Sequence, residues 1–217
     1  MRWGVITAAA AIVVTMSAGC TDSGTETTPS QPKPSTPRVE LLLTASDFPA
    51  GTQTETDPPD SPDETTSGTH ESVTPAACTE NARNPLEGIA DNSMSILGAT
   101  DDTHNVIYVE AVIDSTVNIA KIKDRLLRQC ANVKVHDKNS DYEYKFTEVP
   151  LPTALKTTQA VAYSTGGSSS TTIKLDAIAT LRGMTVYLSA VTLDSEIDKQ
   201  AFDKIFTAAV DKVATAK

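Results

Sequence analysis

Three histidines, an adjacent pair of aspartates, a Gly/Ser run and three cysteines are the residues of this 217-residue chain whose types could do chemistry. His70, His104 and His136 each stand in polar, loop-like context. None has a second ligand at the short spacing a zinc site uses, so all three read as solvated. Asp101 and Asp102 could share acid–base work, but a general acid needs a carboxyl lifted by burial. Their setting, "TDDTHN", is a polar turn and predicts exposure. "TGGSSS" at Thr165–Ser170 lacks the Lys of a phosphate loop, and no helical pattern follows it, so it reads as a hairpin connection. No G-x-S-x-G elbow and no H-E-x-x-H occurs. Asp47, just ahead of Phe48, is the acid best suited to a specific role; its plainer role is to fix a turn through backbone hydrogen bonds. These residues point to no catalytic group, no cofactor and no metal.

The cysteines carry different information. Cys20 follows Arg2, an apolar run from Val5 to Met16, and the small residues Ser17, Ala18 and Gly19. The run has the length of a secretory core and is too short to span a bilayer. Residues 1–19 therefore read as a signal peptide, and Cys20 as a lipidation point on the pattern of a bacterial lipobox. Ser17 departs from that pattern, which has a bulky aliphatic residue there; an ordinary secretory signal with an incidental Cys is the alternative. Two or three acyl chains, at about 0.8 kcal/mol per buried methylene, would hold the protein on a membrane. With Cys20 acylated, Cys78 and Cys130 remain, an even count in an oxidising compartment. They read as one disulfide, with two buried free thiols as the alternative.

Residues 20–37 are rich in Thr, Ser and Pro and cannot bury enough apolar area to offset chain entropy. They read as a lipidated Cys followed by a disordered tether, with or without O-linked sugar. Residues 38–217 form one domain, with an acidic, proline-containing loop near 53–72 whose acids lack EF-hand spacing. The net charge of −10 and pI near 4.7 exclude a nucleic-acid partner and an electrostatic grip on anionic headgroups. Aromatics at 5% suggest no aromatic cradle for sugars.

The elements follow from periodicity. "TPAAC" predicts a short helix with Thr74 as cap, Pro75 in its first turn and Cys78 on it. Met94–Ala99 and Val106–Ile113 read as a hairpin. Asn118–Cys130 is a helix with Ile119, Ile122, Leu126 and Cys130 on one stripe, so Cys130 can meet Cys78. Tyr142–Val149, Gln159–Tyr163, Ile173–Leu181 and Met184–Ala190 alternate with period two. Ser195 with Asp198 resembles a capping box ahead of a last helix striped by Phe202, Ile205, Ala209 and Val213. The expected fold is α+β: a mostly antiparallel sheet of about five or six strands, helices packed on one face, and one disulfide.

With the lipobox and the Thr/Pro tether, the stretches "LLLTASDFPAG", "TPAAC" and "RQCANVKV" give the chain a family likeness. It resembles mycobacterial lipoproteins of unknown function. From about Val39 onward it is similar, more distantly, to the extracellular sensor domain of the mycobacterial Ser/Thr kinase PknH. The resemblance implies a disulfide-braced antiparallel sheet with helices around a ligand-binding cleft, and it transfers no catalytic residues. That sensor domain has two disulfides, whereas only Cys78 and Cys130 are free to pair here. The expectation is a non-enzymatic binding or accessory module, lipid-anchored on the extracytoplasmic face of the cell membrane, with an envelope lipid, glycan or protein as ligand. The alternatives are a cell-wall glycan enzyme using carboxylates from distant segments, and a structural or immunomodulatory surface protein.

Overall fold

The computed structural model describes residues 31–56, 72–136, 141–155, 157, 159–167, 170–193 and 196–217. Contacts divide the chain into residues 1–30 and 31–217. The signal peptide, Cys20 and the first part of the tether fall in the former unit and outside the described residues; His70, Ser195 and residues 57–71 of the acidic loop fall in the latter and are also outside them.

Among the described residues, nine strands form one sheet: β1 (Gln53–Thr56), β2 (Ser72–Thr74), β3 (Met94–Asp101), β4 (Val106–Ile113), β5 (Asn132–His136), β6 (Asp141–Val149), β7 (Ala160–Gly167), β8 (Ser170–Leu181) and β9 (Met184–Thr192). Their order is β1-β3-β4-β9-β8-β7-β6-β5-β2, with every pair antiparallel. The helices are α1 (Arg38–Leu41), α2 (Glu80–Arg83), α3 (Ile119–Asp124), which runs on as a π turn over Arg125–Gln129, and α4 (Lys199–Thr215).

The α+β class stands, and two expectations about it are corrected. The sheet has nine strands rather than five or six. β2 and β5 are short strands at the far edge, and polar β1 is the edge strand at the start of the acidic loop, too short for a period to register. The helices also cover both faces, not one. Leu175, Ala177 and Ala179 of β8 and Met184, Val186 and Leu188 of β9 pack with Leu41–Leu43, Phe48 and the α4 residues Phe202, Ile205, Phe206, Ala209 and Val213. On the other face, Ile178, Val161, Tyr163, Phe146 and Tyr187 pack with Ile122, Leu126, Cys78 and Cys130. Burial of the central strands on both sides is helped where a polar residue of the second face has partners: Thr185 Oγ1 donates to the Ser115 carbonyl at 2.6 Å and accepts from the Val117 N–H at 3.1 Å.

The Cys78–Cys130 disulfide is present, joining residues whose Cα atoms are 5.7 Å apart. Cys78 is not on a helix, however: the Thr74–Pro75 peptide is cis, the chain turns, and α2 begins only at Glu80. Asn118 caps α3 by accepting from the Lys121 N–H at 2.9 Å. Asp198, rather than Ser195, caps α4, its Oδ1 accepting from the Gln200 and Ala201 N–H groups. The β8–β9 turn is Arg182–Gly183, both at positive φ, as a tight two-residue hairpin requires.

Residues 31–37, assigned above to a disordered tether, lie against the domain. Pro34 is buried, the Ser35 N–H donates to the Lys217 carbonyl at 2.6 Å, and the Arg182 Nε–H donates to the Pro32 carbonyl at 2.9 Å. Lys33 and Arg38 both pair with Asp114.

Candidate functional site

Three of the residues singled out for chemistry come together. Asp47, Asp101 and His104 line one hollow of about 350 Å³, alongside residues contributed by β4 and by the N-terminal end of α4. Each is delivered by a local device. Asp47 closes a 3-10 turn over Ala45–Asp47, where its carboxylate accepts from the Thr44 N–H and hydroxyl at 2.8 Å. Asp101 is the last residue of β3, and His104 sits in the turn that leads to β4. Phe48, Val106, Tyr108, Ala201 and Ile205 supply the apolar wall.

Asp101 is not the exposed turn residue that its neighbours suggest. It is only 1% exposed. Its Oδ1 accepts from the Thr103 and His104 N–H groups, and its Oδ2 from His104 Nδ1–H at 2.7 Å. Burial pushes this carboxyl up, but the His104 side-chain and backbone hydrogen bonds, the His104 charge and the Thr103 N–H outweigh burial and hold it below the usual aspartate range. Asp101 is thus an ionised acceptor. A general acid needs the opposite displacement. Asp102, its sequence neighbour, is exposed. His104, expected to be solvated, is indeed exposed but bonded to Asp101. His136, also expected to be solvated, is half-buried and pairs with Asp141 across the β5–β6 register at 2.8 Å. Within Thr165–Ser170, Gly167 of β7 pairs with Ser170 of β8, and residues 168–169 lie outside the described residues. Among the described residues, no group of three or more His, Cys, Asp or Glu could hold a metal ion.

Sequence reasoning missed Tyr108. It is 2% exposed, lines the hollow, and stacks at a tilt on Phe48 with ring centroids 5.6 Å apart. Its hydroxyl has no hydrogen-bond partner among the described residues. Burial, then the charges of Asp101 and Asp198, push the phenol up to about 12, so it stays protonated and able to donate. Glu196 and Asp198 add two further carboxylates to the lining, and Lys204 adds an ammonium. The available signal was Tyr108's place in "VIYVEAVI", on the same strand face as Val106 and buried Glu110.

Chemically, the hollow offers an aromatic and aliphatic body, a mainly acidic polar ring, and one unused phenol donor. Such a site can hold a small molecule with an apolar part and a cationic head, through carboxylate contacts and attraction to the aromatic faces.

No family model and no curated protein matches the chain. Two solved mycobacterial structures are similar to it. The extracellular domain of PknH from Mycobacterium tuberculosis matches at a TM-score of 0.48 and 18% identity, over 80% of this chain and 93% of that one. An uncharacterised protein from Mycobacterium smegmatis matches at a TM-score of 0.46 and 13% identity, over 77% of this chain and 92% of that one.

Proposed function

We propose that this chain is a lipid-anchored, non-enzymatic binding module of the cell envelope, acting outside the cytoplasmic membrane, and that the hollow beside α4 takes a small amphiphilic cation. The lipobox-like "MSAGC" and the Cys78–Cys130 disulfide support the location. One observation carries the ligand class: the Tyr108 hydroxyl, without a hydrogen-bond partner among the described residues, opens on a lining in which Asp47, Asp101, Glu196 and Asp198 outnumber Lys204. The phenol oxygen keeps a lone pair that no described residue uses, and an ammonium N–H can donate to it. Asp101, held ionised, supplies the charge that selects a cation. The glycan-enzyme alternative is weakened by the same geometry, because Asp47 and Asp198 are engaged as backbone caps and Asp101 is held in the wrong direction for a general acid.

The test uses n-butylammonium as probe, with butyrate and butanol as contrasts, followed by backbone amide NMR shifts over 101–108 and 198–205. Butylammonium is expected to saturate these shifts, and Asp101→Asn to weaken it roughly fivefold or more, about 1 kcal/mol. Butyrate binding as well as butylammonium, or no saturable shift with any probe, refutes the ligand class. Mass spectrometry of the mature protein tests the anchor: an N-terminus at Cys20 carrying acyl mass is expected, and an unacylated one refutes it.

A further inference from the structure

A second hollow lies on the opposite face of the sheet and shares no residue with the first. Its volume is about 440 Å³, and it opens between the Arg83–Pro85 segment and strands β6 to β9. Although aromatics are scarce in this chain, Tyr144, Phe146, Tyr163 and Tyr187 all meet there. Phe146 and Tyr163 pack with ring centroids 6.1 Å apart, and the Arg83 guanidinium lies 4.9 Å from the Tyr144 ring centroid.

The polar groups are also arranged. Asp176, 1% exposed, accepts at Oδ1 from the Tyr187 hydroxyl at 2.6 Å and pairs there with Lys174 Nζ at 3.2 Å. Its Oδ2 takes no hydrogen bond from a described residue. Tyr163, also 1% exposed and lining the hollow, has a hydroxyl without a hydrogen-bond partner among the described residues. A carboxylate oxygen left open and a phenol left open, on two buried residues that line one hollow, are joined there by the buried Arg83 Nε, which has no partner among the described residues.

The balance of charge narrows what could fill them. A simple anion would meet the Asp176 carboxylate, and a simple cation would meet Lys174 and Arg83. A neutral polyhydroxylated ring meets neither objection. Adjacent ring hydroxyls each donate and accept, so one can donate to Asp176 while its neighbour accepts from Lys174. The apolar face of the ring can lie against the aromatic wall. The volume is in the range of a small-ligand site.

From these contacts we infer that the hollow over β6–β9 is a carbohydrate-binding site, with Asp176, Lys174 and Tyr163 as the groups that bond sugar hydroxyls. It is separate from the cation hollow and does not depend on it.

Saturation-transfer NMR on the folded protein tests this with the methyl glycosides of glucose, mannose, galactose, N-acetylglucosamine and arabinose, each alone. At least one is expected to receive saturation on its ring protons. Tyr163→Phe and Asp176→Asn are each expected to weaken it roughly tenfold, while Asp101→Asn in the other hollow leaves it unchanged. Tyr163→Phe is the decisive variant, because it deletes a hydroxyl that holds no protein group and so spares the fold even where Asp176→Asn does not. No transfer to any of the five sugars overturns the inference, as does a Tyr163→Phe affinity within about twofold of the parent's. Because butylammonium binding is read on the other face, failure of either site leaves the other's result intact.

Discussion

Glu110 gives the sharpest test of how the face under α4 is built. It lies in β4, fully buried, and its Oε2 accepts from the Leu43 N–H at 2.8 Å, tying the Leu41–Leu43 strap to the sheet. Its Oε1 has no partner among the described residues. Burial pushes this carboxyl from 4.5 up to about 7; the Leu43 N–H and the charge of Lys212 pull the other way, and Asp47 adds to the rise. The sign follows from proton counting. Between pH 4.5 and 7 the folded chain keeps a proton that the unfolded chain has released, so stability falls as pH rises through that window. Above pH 7 both states are ionised and the folded state carries the whole penalty. At 1.36 kcal/mol per pH unit of displacement this amounts to about 3 kcal/mol. Glu110→Gln keeps an oxygen for Leu43 and cannot ionise, and any cost of its unpartnered amide hydrogens is independent of pH. Urea titrations of both proteins at pH 4.5, 5.5, 6.5 and 8 should therefore show the stability of the variant relative to the parent rising by about 3 kcal/mol from the lowest to the highest pH. A relative stability constant to about 0.5 kcal/mol across that range would refute the reasoning, because it would mean that Glu110 reaches water or an unassigned donor.

Two further outcomes are expected. Cys78→Ser with Cys130→Ser reopens a loop of 52 residues and should cost about 4 kcal/mol on the chain-entropy account, read as a lower urea midpoint than that of the oxidised parent. A change under about 1 kcal/mol would place the brace elsewhere. Arg182→Ala removes a guanidinium whose Nη1 donates to the Val213, Ala214 and Ala216 carbonyls at the C-terminal end of α4. The expected loss is about 1–3 kcal/mol, with faster hydrogen exchange at the Ser35 amide; unchanged exchange there would show that the 32–36 segment is held by other contacts.

How much of this was legible in the sequence depended on whether a residue's partner was near in the chain. The α3 and α4 stripes and the period-two run of β8 name their own buried faces, because burial repeats with the element. The two strands missed, β2 and β5, are three and five residues long, and β2 owes its existence to a neighbour distant in sequence, pairing with β5 from Ser72↔His136 to Thr74↔Lys134. The one-sided sheet was a misreading of polar residues as wet ones. Asp176, Thr180, Thr185 and Ser189 alternate as a solvent face would, yet all four are buried. A pattern of residue types reports polarity; only the tertiary fold decides whether a Tyr187 or a Ser115 carbonyl stands opposite. The same limit applies to the candidate sites. Asp47, Asp101 and His104 could be picked out by type, but their convergence around Tyr108 comes from the Leu41–Phe48 segment and α4 packing on the same face of the sheet. Four aromatic residues in one hollow cannot be read from a composition of 5%.

The clasp at Arg182 also decides how the domain bears load. The chain coming from residue 31 meets the fold at Pro32–Thr36, held by Arg182 at the tip of the β8–β9 hairpin and by the Lys217 carbonyl. The hollow lined by Tyr108 is at the other end of α4, 17 residues or about 25 Å away. Tension applied ahead of residue 31 is therefore taken up by the central hairpin and the last residue of the chain, and it is spent there before it can deform the mouth around Tyr108.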